Sequence, residues 1–255
     1  MGKNEVVIGA DMGESFGRYR LGNDEEVMKY VTAANVACGF HAGDPIVMRN
    51  TVKLAKKYNV SVGAHPGFQD LRGFGRRMIE VTTEELFNDL IYQLGALDAF
   101  LKVEGLKMTH VSPHGKLDPL VSYEEEYTET YLEGIKEYNP ELIIIAEEKS
   151  ILYKKAKAFG FEVATVAYPD LKYDSKGDIV IERVKKAVNP IEVAQRAISI
   201  VKYHKIKTIE GNEIKIHGEM LCFHGDSPNA IEVLEVVRKE FEKEGIVVKR
   251  FHEGR

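Results

Sequence analysis

Seven short, largely apolar runs recur along the chain, at 6–10, 34–38, 60–63, 108–112, 142–146, 162–167 and 220–223. Each is followed by a polar or glycine-bearing turn, and most lead into a segment with helical spacing. Runs this apolar suit strands buried on both faces, and their alternation with helices predicts βα units around a parallel sheet. Barrels of this kind occupy about 250 residues as one domain. No linker, repeat or low-complexity tract divides the 255 residues, so residues 1–255 are read as a single α/β domain.

Helix starts are legible between the runs. Asn23 precedes three acidic residues, Asp44-Pro45 and Asn189-Pro190 pair a cap with a first-turn proline, and Thr82 with Glu85 spells a capping box. Leu86, Leu90, Leu94, Leu97 and Leu101 recur at helical spacing and predict a stripe buried on the sheet. Glu124, Glu125 and Glu126 read as a solvated first turn. Two excursions break the pattern: a hairpin over 173–183 turning at Asp174-Ser175-Lys176-Gly177, and a second around Gly211-Asn212.

The charge balance, 35 basic against 40 acidic residues for a net −5, excludes a nucleic-acid binder held by phosphate neutralisation. The longest purely apolar run, 142–146, falls far short of the ~20 residues of a membrane span. With no secretory signal, the expected location is the cytoplasm. Cys38 and Cys222 form no Cys-x-x-Cys pattern, and reduced thiols are expected.

Chemistry gathers just past the strands. Asp11 and Glu14 follow the first run, His41 and Asp44 the second, His65 the third, His114 the fourth, Asp170 the sixth, and His224 with Asp226 the seventh. Residues at the carboxyl ends of parallel strands converge on one face, so these motifs can share a pocket. His110 is assigned to packing, and His204, His217 and His252 lie outside the constellation. In the glycine-rich stretch 63–77, Arg72, Arg76 and Arg77 suit a carboxylate or phosphate, and the glycines suit a bare backbone cradle for an anion. Gly13-Glu14-Ser15-Phe16-Gly17 matches a nucleophile motif in letters only, because no helix begins at Ser15. No Walker-type phosphate loop is present.

The segments 11–17, 34–45 and 65–77, with Ser112-Pro113-His114-Gly115 and 222–228, resemble the LamB/YcsF family, whose members are taken as one of the three components, the A component, of prokaryotic 5-oxoprolinase. The resemblance implies a seven-stranded (β/α) barrel of the glycoside hydrolase/deacetylase type. It also implies a part in the ATP-dependent opening of 5-oxoproline to glutamate with two further subunits, B and C. ATP is then a co-substrate, with a divalent metal such as Mg as a further expectation. Asp11, His41, His65, His114, Asp170 and His224 are the catalytic candidates. Glu14, Asn35, Asp44, Arg72, Arg76, Arg77 and Asp226 are the candidates for holding substrate or phosphate. Asp11 and His41 are assigned to water activation or a metal, for which His65 is a third candidate ligand. His65 and His114 are assigned to the amide, and Asp44, Asp170 and Asp226 to orienting histidines. The chain departs from the family pattern at Val7-Ile8-Gly9-Ala10, Ser112, Lys116-Leu117-Asp118 and Leu171, which stands where an arginine is usual. Two other readings stay open: a stand-alone metal-dependent deacetylase or amidohydrolase, and a non-catalytic substrate-binding subunit. A sugar-binding module fits least, since the chain has no tryptophan.

Overall fold

A computed structural model describes residues 4–180 and 186–252. In chain order the elements are β1 (Glu5–Met12), α1 (Asp24–Val27), β2 (Ala33–Ala37), α2 (Pro45–Tyr58), β3 (Ser61–His65), α3 (Thr83–Glu104), β4 (Met108–Val111), α4 (Leu117–Tyr123), α5 (Glu125–Tyr138), β5 (Ile143–Ala146) and α6 (Ile151–Ala158). There follow β6 (Val163–Ala167), β7 (Lys172–Tyr173), β8 (Ile179–Val180), α7 (Pro190–Tyr203), β9 (Lys205–Lys207), β10 (Glu213–Lys215), β11 (Met220–Phe223), α8 (Ala230–Lys243) and β12 (Val247–Val248). Every one of the seven apolar runs becomes a strand. They pair in parallel in the order β1-β2-β3-β4-β5-β6-β11, and β11 returns to β1 with Val7 opposite Met220, closing the barrel. The short β12 adds to the start of β1, Glu5 opposite Val247.

The caps act largely as their chemistry demands. Asp44 accepts from the Ile46 and Val47 amides, both halves of the Thr82/Glu85 capping box form, and Asn189 accepts from Ile191. Asn23 makes no side-chain cap, and its helix runs only four residues. Both hairpins form, β7 with β8 and β9 with β10, the second with Lys207 opposite Glu213 across the Gly211-Asn212 turn. Residues 181–183 of the first lie outside the described residues.

Strand alternation sorts the core into two shells. Ile8, Ala10, Val36, Val62 and Ile144 face outward onto the helices, where Leu90, Leu94, Leu97 and Leu101 of α3 meet them as the spacing required. Val7, Ala33, Ile143, Ile145, Ala164, Val166 and Met220 fill the lumen, with Phe251 after β12 among them at the amino-terminal end of the strands. Gly9 is glycine because Met220 occupies the space beside it: a Cβ there would lie 1.9 Å from the methionine Cε. No helix among the described residues is long and apolar enough to cross a membrane.

Candidate active site

The alternation that turns Val7 into the lumen turns Asp11 the same way, at the opposite, carboxyl end of β1. Just beyond it, Gly13 takes a left-handed conformation (φ 71°) and donates its amide to Asp24, at 2.9 Å. This turn sends Glu14 across the barrel mouth towards His65 at the tip of β3 and His114 just past β4. A cavity of about 870 Å³ opens over these strand ends. Asp11, Glu14, His65, Arg76, His114, Asp170, Arg196, His224 and Asp226 all line it. The topology therefore brings most of the expected residues to one site.

At its floor the histidines are held with little freedom. His65 Nδ1 lies 2.7 Å from the Ser112 carbonyl, His114 Nε2 lies 2.8 Å from the Phe74 carbonyl, and His65 Nε2 meets His114 Nδ1 at 3.0 Å. His41 stacks on His114 with ring centroids 3.6 Å apart and planes 9° from parallel. Glu14 Oε1 lies 3.5 Å from His41 Nε2 and 3.9 Å from His114 Nδ1. Asp11 Oδ2 lies 3.5 Å from His65 Nε2. One donor atom from each of Glu14, His41, His65 and His114 falls within 4.8 Å of all the others.

Burial and mutual charge set the protonation. Burial, with the Asp11 charge adding to it, pushes the Glu14 carboxyl up to about 8. Burial opposes charge on His65, but the Asp11 and Glu14 carboxylates outweigh it and raise the ring to about 9. Burial likewise opposes the Asp11 carboxylate, yet His65 holds it well below the usual range. His114 is driven down to about 3 by burial and then by the neighbouring His65 charge. The site thus pairs a cationic ring with a neutral one.

Beneath Asp11 lies a layer that motif reading misassigned. Asn35 is 1% exposed and does not line the cavity. Its amide donates to Asp11 Oδ1 at 2.9 Å, and its Oδ1 lies 2.9 Å from His110 Nε2. Asn35 therefore positions Asp11 and does not face the cavity. His110 is part of the same relay, not mere filling, and burial drives it down to about 3, the neutral form. The signal was available in part: His110 stands inside a strand run four residues before His114. Gly63 opposite makes room, since a Cβ there would lie 2.2 Å from the His110 ring.

The loop after β3 also needs correction. Its glycines accommodate side chains and do not bare backbone for an anion. A Cβ at Gly67 would lie 2.6 Å from His41 Nδ1, and one at Gly75 (φ 61°) would lie 2.8 Å from His41 and 2.9 Å from His114. Arg77 is bound to the buried Asp70 carboxylate, and Arg72 is exposed and away from the cavity. Only Arg76 of the three lines it, lying over the Phe74 ring. Asp44 orients no histidine, because its oxygens are taken by the start of α2 and the Gly17 amide. Asp170 does: it accepts from the His224 amide at 2.9 Å and lies 3.1 Å from His224 Nδ1. His41 is buried and does not line the cavity. Ser15 bonds to Leu21, away from any helix start.

Sequence reading missed Arg196, which reaches the cavity from α7. One of its terminal nitrogens donates to the Leu171 carbonyl, and its Nε is buried without a hydrogen-bond partner. A guanidinium from another element thus stands beside the position where Leu171 replaces the usual arginine. Nothing near Arg196 in the chain marked it out, since it lies mid-helix.

A closed, parallel seven-stranded barrel with a polar cavity at the strand carboxyl ends defines an α/β-barrel protein. The chain belongs to the LamB/YcsF family, whose model matches residues 6–255. It is 47% identical over 251 residues to a protein of Thermococcus sibiricus named as the A component of 5-oxoprolinase, covering 98% of each chain. A Pyrococcus furiosus protein of the same name is 47% identical, covering 96% of each. The crystal structure of a lactam utilization protein from Thermus thermophilus superimposes with a TM-score of 0.90 at 38% identity, over 97% of this chain and 100% of that one. A family 4 carbohydrate esterase from Streptomyces lividans shares the fold alone, at TM-score 0.50 and 10% identity over 96% of this chain and 91% of that one.

Proposed function

We propose that this chain is the ring-opening subunit of an ATP-dependent 5-oxoprolinase, working in the cytoplasm with two partner subunits to convert 5-oxo-L-proline to L-glutamate. The carrying observation is that the chain matches proteins named as the A component of 5-oxoprolinase from end to end and brings an aligned His-Asp pair, a histidine cluster and two arginines into one cavity. The buried free thiols of Cys38 and Cys222 accord with a reducing compartment.

A lactam is an unactivated amide, and coupling to ATP makes its opening favourable. The amide oxygen takes the terminal phosphoryl group, water adds to the activated carbon, the ring C–N bond breaks, and phosphate leaves. His224, its tautomer held by Asp170, is the base that takes the water proton. The cationic His65, braced by His114, stabilises charge developing at the amide oxygen. Arg196 holds the substrate carboxylate and Arg76 the phosphoryl oxygens. Glutamate release and ADP formation, assayed with and without the partner subunits, test this reading. ATP-independent turnover by the chain alone would instead establish the metal-dependent amidohydrolase, which the four-residue cluster favours. Unaltered turnover of a complex carrying His224→Ala and His114→Ala would leave the chain a binding subunit only.

A further inference from the structure

The nitrogens that meet at 3.0 Å on the cavity floor pose a chemical problem. A backbone carbonyl only accepts, so Ser112 fixes the proton of His65 on Nδ1, and Phe74 fixes that of His114 on Nε2. In the neutral rings both facing nitrogens then carry lone pairs, which repel unless a cation lies between them. A proton can serve this one contact. It leaves Glu14 Oε1 and both nitrogens of His41 buried with no hydrogen-bond partner. A cation with several coordination positions serves this contact together with Glu14 Oε1 and one of the His41 nitrogens.

We propose that Glu14, His41, His65 and His114 bind one divalent transition-metal ion of the zinc type, presented to the cavity. Around an ion with bonds of about 2.0–2.1 Å, neighbouring donors stand about 3.0–3.4 Å apart. The His65–His114 contact at 3.0 Å falls in that range, and the Glu14–His41 contact at 3.5 Å lies just beyond it. Three imidazoles and one carboxylate suit zinc, cobalt or nickel, whereas magnesium prefers oxygen ligands. The carbonyl on the far nitrogen of His65 and of His114 is the support that metal-bound imidazoles typically have. His41 runs nearly parallel to His114, so its lone pair joins after a turn of the ring, which makes it the weakest ligand. Because Glu14, His65 and His114 line the cavity and His41 is the weakest of the four, a fifth position, or the one His41 leaves, faces the cavity for water or a carbonyl oxygen. That chemical use rests on the reading of the cavity as the lactam-opening site, while the binding does not.

The test is calorimetric titration of the full chain, stripped by a chelator, with Zn²⁺, and a visible spectrum with Co²⁺. One equivalent should bind. His65→Ala and His114→Ala should each weaken binding at least about 100-fold, the upper end of what losing an outer-shell partner costs. His41→Ala should weaken it less, and His217→Ala, a histidine outside the site, should leave it unchanged. Glu14→Gln removes the carboxylate with little change of shape and should also weaken binding, should an alanine variant not fold. No saturable binding of Zn²⁺, Co²⁺, Ni²⁺ or Mn²⁺, or equal affinity in the His65→Ala/His114→Ala double variant, overturns the proposal. A metal-free chain whose complex still loses turnover in His114→Ala overturns the metal and keeps the hydrolase. Metal binding lost in the variants, with no glutamate release from the intact complex, does the reverse.

Discussion

His65 and His114 are anchored on the carbonyls of Ser112 and Phe74, residues that belong to no strand or helix. In the assembled enzyme, His65→Ala and His114→Ala should each lower glutamate release by at least about 100-fold, the scale for losing an acid-base group or a key donor, with circular dichroism unchanged. The arginines divide by their partners. Arg196→Ala should weaken substrate binding by about 1.5–3 kcal/mol, the range for a hydrogen bond to a charged group. Lysine should not restore it, because a point charge cannot reproduce a planar fork; titration of the lactam into each variant decides. Arg77→Ala should instead leave affinity alone and lower the melting temperature. Its hydrogen bond to Asp70 holds that carboxyl below its ordinary value. The stabilisation is therefore present above the unfolded value of about 3.9 and is lost as pH falls through the folded one, so the difference between wild type and variant should fade in acid. The strand-end histidines were legible in sequence because each lies within about three residues of the end of an apolar run. Arg196 and the roles of Asn35 and His110 were not, because each depends on what another strand or helix places opposite.

The capping signals of α2, α3 and α7 could be read directly, since a cap is a contact within a few residues. The glycines of β3 and its loop were read correctly as special and wrongly as an anion cradle, because what a missing Cβ leaves room for is set by a chain segment far away in sequence. Gly63 tests this. An added methyl would press on the His110 ring and, through Asn35, displace Asp11. Gly63→Ala should cost about 1–3 kcal/mol, the usual penalty for overpacking, measured as a shift in denaturant midpoint, and should lower turnover as well. A stability loss with unchanged turnover would separate His110 from the Asp11 relay.

Over the whole molecule, closure of seven strands concentrates strand-end groups over one opening, and some of them are held there at a cost. Burial pushes the Asp118 carboxyl, on the cavity wall, up to about 6. The folded chain binds that proton more tightly than the unfolded one, so the penalty is absent below about pH 4 and grows as pH rises towards 6. Asp118→Asn keeps an acceptor for Ser122, whose hydroxyl lies 2.8 Å from the carboxylate. It should raise stability at pH 7 by up to about 3 kcal/mol and leave it unchanged near pH 4, as melting temperatures at the two pH values would show. The size of the cavity bears on the last expectation. About 870 Å³ is near the upper end of the usual range for small-molecule sites, and a five-membered lactam fills only part of it. On the proposed reaction, the rest would take the phosphoryl donor or a partner's segment that delivers it. The chain has no Walker-type loop with which to hold a nucleotide by itself. The purified single chain should therefore release glutamate from 5-oxoproline slowly or not at all with ATP present, and adding the partner subunits should restore turnover. Full ATP-coupled activity from the single chain would show that its own cavity binds the nucleotide and that the partners serve another purpose.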